Sequence, residues 1–248
     1  MAKTSKTSKT RAASPRAVAP PLRQGGFWPR IKRAVITGAA SLAGLFAALI
    51  MLFSFVPPLI NIYQAQEAWR LGGIEKDWTG WDNISPHMAR AVVAAEDANF
   101  CNHWGFDVAA IRDAVSEGSQ RGASTLTQQT VKNVFLWHGR SYLRKALEAM
   151  LTPAVEFVWS KQRILEVYMN IAEFGPGIFG VQAAARHFFD VDAAELTPMQ
   201  AARLAAVLPD PKGRDPRRNS SFMGRRTAAI ISGAETILAD GRARCFDY

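Results

Sequence analysis

Apolar residues follow two patterns along this chain, one continuous and one periodic. From Ala34 to Val56 no charged or amide side chain occurs, and a helix of that length can cross a hydrocarbon core of about 30 Å. Beyond residue 84, apolar residues recur at three- and four-residue spacing, which is typical of amphipathic helices, while alternating strand-like runs are scarce. The pattern predicts one membrane span followed by a mainly α domain.

Helix start signals subdivide the region after residue 84. Each combines a capping side chain, or a proline suited to the first turn, with a following apolar stripe. They lie at Ser85-Pro86, Asp107, Ser124, Ser141 and Thr197-Pro198. Pro153 falls inside the helix that begins at Ser141, and because proline removes a helical hydrogen bond we expect a kink or an end there.

These patterns divide the chain into four segments. Residues 1–33 have the composition of a disordered tail, and residues 34–56 are the predicted transmembrane helix. Residues 57–84 read as a membrane-proximal connector, with Trp69, Trp78 and Trp81 placed near the lipid headgroups. Residues 85–248 form the predicted folded domain.

The net charge of +9 is concentrated at one end of the chain. Nine of the 30 Lys and Arg lie in residues 1–33, where there is no acidic residue, which leaves 21 basic against 21 acidic residues in the remainder. This distribution argues against a nucleic-acid partner. Basic residues before a span predict a cytoplasmic N-terminus and a domain on the far side of the membrane. The alternative is a cleaved signal peptide, whose apolar region is usually about 7 to 15 residues.

Cysteine and histidine give little sign of a framework or a metal site. An exported domain could oxidise Cys101 and Cys245, but two distant thiols form no framework pattern, so their pairing stays open. There is no CxxC and the four histidines are scattered, so we predict no protein-only metal site.

Three polar constellations carry candidate chemistry. Glu96 ends an apolar helical stripe, where partial burial would raise the pKa of its carboxyl and suit it to proton abstraction; the alternative is a simple pair with a neighbouring Arg. Helical spacing after Ser124 brings Thr125, Gln128 or Gln129, and Lys132 to adjoining positions that could grip a phosphate. A polar solvated face would explain this second pattern equally well.

The third constellation places two cations beside a carboxylate on one helix. Arg144 lies four residues before Glu148, and Lys145 lies three before it. A surface ion-pair ladder of small energy is one explanation. A second carboxylate sharing a cleft with Glu96 is the other.

The motifs that hold these residues resemble those of the family 51 peptidoglycan glycosyltransferases. The resemblance rests on EDANFCNHWGFD, GASTLTQQTVKN, RKALEAM with SKQRILEVYMNIAEFGPGIFGVQAAARHFF, and LTPMQAARLAAVLPDP, in that order over about residues 85–216. The NIAEFG stretch is most similar to the monofunctional enzymes, and we expect no transpeptidase domain because SxxK and KTG motifs are missing. The resemblance implies a mainly α, lysozyme-like, two-lobed domain with a cleft.

The resemblance also implies roles for individual residues. Glu96 matches the catalytic Glu that deprotonates the acceptor 4-hydroxyl, and Glu148 matches the family's second Glu. Lys132, Arg144 and Lys145 match cationic positions around the donor pyrophosphate. The polar cleft wall corresponds to Ser124, Thr125, Gln128 and Asn133. Asp97, Phe100, His103 and Gly105 belong to the first motif, and we expect them to shape the Glu96 loop.

The implied reaction polymerises lipid II into β-1,4-linked strands, with inversion at the donor MurNAc C1 and release of undecaprenyl pyrophosphate. It implies no tightly bound cofactor, but a Mg²⁺ or Mn²⁺ requirement with the pyrophosphate. The implied partners are lipid II, the growing strand, the inner membrane and division or elongation proteins. The catalytic domain would be periplasmic, with apolar residues dipping into the bilayer; the candidates are Trp104, Phe106, Val108 and Ile111.

Two other functions remain open at this point. A membrane-anchored lytic enzyme could cut the same polymer with a Glu in a cleft, since fold does not settle function. The cations at 132, 144 and 145 argue against it, because a neutral glycan has no pyrophosphate to neutralise. The third possibility is a non-catalytic scaffold of the wall-building machinery.

Overall fold

The computed structural model describes residues 27–116, 124–139 and 141–247. The helices in these ranges are α1 (Phe27–Phe53), α2 (Ile62–Leu71), α3 (Pro86–Glu96), α4 (Val108–Ser116), α5 (Leu126–Phe135), α6 (Tyr142–Val158), α7 (Lys161–Ile171), α8 (Val181–Phe189), α9 (Pro198–Val207) and α10 (Ser221–Ala239). Strands β1 (Glu75–Lys76), β2 (Glu173–Gly175) and β3 (Ile178–Phe179) are short, and 3₁₀ turns cover Trp81–Asn83, Phe100–Asn102 and Ala193–Glu195. The predicted mainly α fold is confirmed.

Helix α1 is the one helix of the described chain that is long and apolar enough to cross a membrane. It begins at Phe27, inside the segment predicted to be a disordered tail, and ends at Phe53 rather than Val56. Arg and Lys propagate a helix well, so residues 27–33 extend it, whereas Pro57 disfavours helical backbone in the residue before it. Residues 1–26 of the predicted tail lie outside the described residues.

The chain divides into two units, and the second contains almost every element. Residues Met1–Gly44 make the first unit and Leu45–Tyr248 the second. Within the second, α3, α9 and α10 pack against one another, and α5 packs against α6 and α7. Fully buried side chains such as Met88, Val92, Leu165 and Leu204 fill these contacts. The two groups of helices agree with the expected two-lobed domain.

Residues 57–84 belong to the second unit and do not form a separate connector. Helix α2 contacts α5, and β1 runs parallel to β3, which in turn pairs antiparallel with β2 through an irregular register. Trp78 and Trp81 pack against the core while Trp69 stays exposed. Packing holds the rings of Trp78 and Trp81 against the domain, and the placement of the three tryptophans near the headgroups stays a prediction.

The end of α1 is held by the residue that caps the end of α6, Trp159, and by Arg163 of α7. Trp159 donates its indole N–H to the carbonyl of Ile50 at 2.7 Å. Arg163 donates from Nε and Nη2 to the carbonyl of Phe53 at 3.1 and 3.0 Å, and from Nη2 to the carbonyl of Val56 at 3.0 Å. The bonds from Arg163 satisfy carbonyls at the helix end that have no backbone partner among the described residues.

Helix α6 continues through Pro153 to Val158, so the expectation of a helix end there is wrong. A mid-helix proline costs about 3 kcal/mol, and contacts beyond it offset that cost. Val155 is fully buried, and Glu156 accepts hydrogen bonds from Thr127 and from Lys161. Tertiary packing thus keeps the turn helical after the proline.

A disulfide joins Cys101 to Cys245 across a separation of 144 residues. It ties the 3₁₀ turn after α3 to the segment after α10, and Phe246 beside it is buried against Phe100. The structure thereby settles the pairing that the sequence left open.

Candidate functional site

Glu96 is the last residue of α3, and its carboxylate meets α5. The side chain is partly buried, and Oε2 accepts a hydrogen bond from Gln129 Nε2 at 3.0 Å. Burial raises the pKa of the Glu96 carboxyl, while the Gln129 bond and the charges of Arg226 and Lys132 oppose that rise. Such a carboxylate accepts a proton more readily than a solvated one, which suits a general base.

Asp97, next in sequence, fixes the position of Glu96 against α5. Its Oδ1 pairs with His103 Nε2 at 2.9 Å, and its Oδ2 accepts from the backbone N–H of Leu126 at 3.0 Å. Oδ2 of this buried carboxylate therefore joins the end of α3 to the start of α5, and Oδ1 holds the loop that follows α3. This agrees with the expectation that Asp97 and His103 shape the Glu96 loop.

Gly105 closes the same loop against α6. Its φ of +83° favours glycine, and a Cβ there would lie 2.5 Å from Thr152 Cγ2. The Gly105 carbonyl accepts from Thr125 Oγ1 at 2.7 Å. The loop that carries Glu96 and the first turn of α5 are thus one packed assembly.

Helix α5 begins one residue later than predicted, with Thr125 rather than Ser124 as its cap. The Thr125 side chain accepts from the Gln128 N–H, and the Gln128 side chain accepts in return from the Thr125 N–H at 3.1 Å. This is a reciprocal capping box, and it occupies the buried Gln128 side chain. Gln129, the neighbour, is the glutamine that reaches Glu96.

Lys132 follows Gln129 by one helical turn and has an unusual environment. Its side chain is half-buried and makes no ion pair or hydrogen bond with any described residue. Burial lowers the pKa of its ammonium; Glu148 and Glu96 oppose this effect, and the charges of Arg144 and Lys145 add to it. The protein therefore holds a partly desolvated cation without a direct counter-ion in the described chain.

Glu148 is the centre of the neighbouring charge cluster on α6, which begins at the predicted cap Ser141. Only 2% of Glu148 is exposed. Arg144 Nη1 lies 2.6 Å from its Oε2, and Lys145 Nζ pairs with its Oε1. Lys145 Nζ also donates to Ser124 Oγ at 3.2 Å. The cluster links α6 to the segment before α5, so Ser124, Lys145 and Glu148 meet in space.

The geometry brings most of the predicted residues together. A pocket of about 210 Å³ is lined by Glu96, Asp97, Ser124 and Thr125, among others. Arg144 and Lys145 pair with Glu148, and Glu148 also acts electrostatically on Lys132, so this cluster of three cations and one carboxylate has excess positive charge. Asn133 places its Oδ1 in a buried position without a partner in the described chain. The roles given to all these residues stay predictions.

Sequence reasoning chose Gln128 for the cleft wall and missed Tyr168 and Arg226. Thr125 and Gln128 carry the T-x-x-Q signature of a capping box, which could have indicated beforehand that the Gln128 side chain caps α5. Tyr168 is buried, with its hydroxyl 3.4 Å from Gln129 Oε1. Arg226, on α10, lowers the pKa of Glu96 through its positive charge. No local pattern signals Tyr168 or Arg226, because each comes from a helix distant in sequence.

A second polar cluster, also missed, lies beside the first. Tyr63 donates to Glu173 Oε2, and burial together with that bond raises the pKa of Tyr63 to about 12. Lys212 Nζ pairs with Glu67 Oε1 at 2.8 Å. The ring of His138 lies 3.8 Å from the Tyr63 ring, and burial together with nearby cations lowers the pKa of His138 to about 4.

Comparisons with known proteins agree on one family. A family model described as Transglycosylase matches residues 65–235. A biosynthetic peptidoglycan transglycosylase of Jannaschia sp. (strain CCS1) is 52% identical over 246 residues, which cover 99% of both chains. A protein of the same description from Yersinia pseudotuberculosis serotype O:3 (strain YPIII) is 52% identical over 186 residues, covering 70% of this chain and 77% of that relative. The family match begins within α2, which agrees with the packing of α2 and β1 in the domain.

Proposed function

Because the chain belongs to the transglycosylase family, we propose that it is a peptidoglycan glycosyltransferase that polymerises lipid II into β-1,4-linked glycan strands. The domain is the lysozyme-like helical fold that the resemblance implied. One observation carries the proposal for this chain. A partly buried carboxylate, Glu96, lies in one site with cations whose charge exceeds that of the carboxylate paired with them.

In the proposed step, Glu96 takes the proton of the acceptor 4-hydroxyl. The oxygen forms a bond to C1 of the donor MurNAc from the face opposite the leaving group, which inverts the configuration there. The bond from C1 to the phosphate oxygen breaks, and its electron pair leaves with undecaprenyl pyrophosphate. Preorganised cations stabilise charge that develops in a transition state, and Lys132, Arg144 and Lys145 are assigned this task.

The charge balance gives Glu148 a positioning role in this proposal. Its buried carboxylate orients Arg144 and Lys145 through short ion pairs, while Lys132 keeps no direct partner among the described residues. The incoming pyrophosphate would supply the missing negative charge. A Mg²⁺ or Mn²⁺ ion is proposed to accompany that pyrophosphate, because such ions prefer oxygen ligands and commonly bind through substrate phosphates.

The site is proposed to work at the lipid surface of the inner membrane, with the N-terminus cytoplasmic and the domain periplasmic. A disulfide persists in an oxidising compartment, which supports an exported domain. On α6, Leu143, Met150 and Phe157 are exposed at seven-residue spacing, on the side away from buried Glu148. Such an apolar stripe suits insertion between headgroups. Of the residues predicted to insert, Trp104 and Val108 are also exposed, whereas Phe106 and Ile111 are partly buried.

The test is the purified full-length protein with labelled lipid II, its products separated by gel electrophoresis. We expect ladders of lengthening strands from the wild type and none from Glu96→Gln, with the same melting temperature for both. Turnover by Glu96→Gln at the wild-type rate would remove Glu96 from the role of base. Cleavage of isolated glycan strands without extension of lipid II would favour the lytic enzyme. If the protein catalysed neither reaction, the result would favour the scaffold.

A further inference from the structure

A second pocket, of about 420 Å³, lies beside the sheet and outside the proposed catalytic cleft. Its apolar walls include Pro176, Ile178 and Phe188. Phe188 lies directly over Gly175, where a Cβ would stand 2.9 Å from Phe188 Cζ. Four cations contribute to the lining: Lys212, Arg214, Arg217 and Arg218. The pocket therefore combines a packed apolar wall with a basic rim.

Two of these cations have no ionic partner in the described chain. Lys212 pairs with Glu67 at 2.8 Å, and Arg217 lies 3.4 Å from Asp215. Arg214 instead donates to the carbonyl of Ala206 at 3.0 Å and stacks over Phe222. Arg218 is exposed, with no side-chain bond to a described residue. The remaining acid of the lining, Glu75, pairs with His187 at 3.1 Å.

The pocket adjoins the cations of the proposed catalytic site. Lys212 Nζ lies 5.3 Å from the centroid of the Tyr63 ring, and the ring of His138 also lies against that ring, at 3.8 Å. The charges of Lys132, Arg144 and Lys212 in turn lower the pKa of His138. Tyr63 and His138 therefore lie next to the basic rim, and His138 is within the electrostatic range of the cluster assigned to the donor pyrophosphate. A group attached to the donor sugar could reach both places.

We propose that this pocket binds the carboxylates of the peptide carried by the donor glycan strand. The inference rests on the proposed function and names a further part of the substrate that the protein recognises. Arginine pairs with carboxylates in a planar, bidentate geometry, and the apolar wall suits the aliphatic portions of a peptide. A lipid headgroup fits less well, because none of the exposed large apolar side chains of the described chain lines this pocket.

The experiment measures binding of soluble disaccharide-peptide to the full-length protein in detergent by calorimetry, without requiring turnover. The same disaccharide with its peptide carboxylates amidated is the paired ligand. We expect the wild type to bind the acid form about tenfold more tightly, as the loss of a charge-assisted hydrogen bond would give. Arg218→Gln should reduce that preference several-fold, and the Arg214→Gln/Arg218→Gln double variant should abolish it. Arg225→Gln, an exposed arginine of α10 outside the pocket, should leave it unchanged.

Equal binding of the acid and amidated forms by the wild type would overturn the proposal. So would equal loss in Arg225→Gln, or competition by inorganic phosphate or anionic phospholipid vesicles as effective as that by the peptide. Arg218→Gln keeps the test valid if the double variant fails to fold. If the wild type binds the peptide selectively but does not extend lipid II, the proposed polymerase function fails while the peptide pocket stands.

Discussion

Two adjacent glutamines on α5 provide a matched pair that separates catalysis from stability. Gln129 donates to Glu96 at 3.0 Å, whereas Gln128 closes the capping box with Thr125. Methionine has a similar shape and a good helix propensity, so Gln129→Met and Gln128→Met each remove mainly polar contacts. We expect the first variant to lose activity and the second to lose stability.

The magnitudes follow from what each amide contacts. A hydrogen bond to a charged group contributes about 1.5–3 kcal/mol, so Gln129→Met should lower activity about tenfold to a hundredfold. Its second contact, 3.4 Å from the Tyr168 hydroxyl, is too long to add much stability. Gln128→Met leaves the buried Thr125 N–H without its partner at a cost of about 1–3 kcal/mol, which lowers the melting temperature of a domain this size by about 2–4 °C per kcal/mol.

The pH dependence of activity is a second test of the Gln129–Glu96 hydrogen bond, because losing that bond should shift the pKa of Glu96 in a known direction. The Gln129 bond opposes the rise in the pKa of Glu96 caused by burial, so its loss raises that pKa further. A general base must be ionised, and the acid limb of the rate profile of Gln129→Met should therefore move to higher pH. Polymerisation of labelled lipid II across pH, with thermal unfolding of the same samples, measures both effects. A Gln128→Met variant that loses more activity than Gln129→Met at equal stability would refute this reasoning.

Three further predictions concern the same assembly. Lys132→Met should lower lipid II polymerisation at least tenfold, while the melting temperature of the variant stays equal to that of the wild type or rises. The reason is that the half-buried ammonium has no direct partner in the described chain. If activity and melting temperature both fell, Lys132 would have a structural role. Cys101→Ser/Cys245→Ser should cost about 2–5 kcal/mol in unfolding experiments, since the bridge closes a loop of 144 residues; unchanged denaturation would show that the bridge adds nothing. Gly105→Ala should destabilise by more than about 2 kcal/mol, because its Cβ meets Thr152 at 2.5 Å in a left-handed conformation; wild-type denaturation would contradict that steric argument.

Local signals predicted the helix starts because caps act within a few residues of sequence. Ser85-Pro86, Ser141 and Thr197-Pro198 precede helices as expected. The start of α5 was displaced by one residue, since Ser124 and Thr125 can both cap and only the Thr125 side chain meets the N–H at the third helical position. Periodicity predicted a mainly α domain and singled out the polar constellations, whereas the resemblance supplied the lysozyme-like fold type and the roles of the candidate catalytic residues.

Features that depend on distant contacts were beyond sequence reasoning. The two residues of β1 become a strand only by pairing with β3, about a hundred residues later, so their segment read as a connector. Helix α6 passes Pro153 because Glu156, beyond the proline, is bonded to Thr127 and Lys161. The spacing of two cysteines says nothing of whether their backbones meet. In each case the deciding partner lies in another element of the fold.

Two lysines of this chain illustrate why charge balance indicates function. Lys161 lies 2.8 Å from Glu156 Oε1, donates to the carbonyl of His103 at 2.8 Å and stands over the Phe100 ring. That is how a buried ammonium is stabilised when its role is to hold the fold together. Lys132 is also withdrawn from water, but it has no such partners among the described residues. Because an unpaired charge costs stability, its retention beside Arg144 and Lys145 is best explained by an anionic ligand that completes the cluster when it binds.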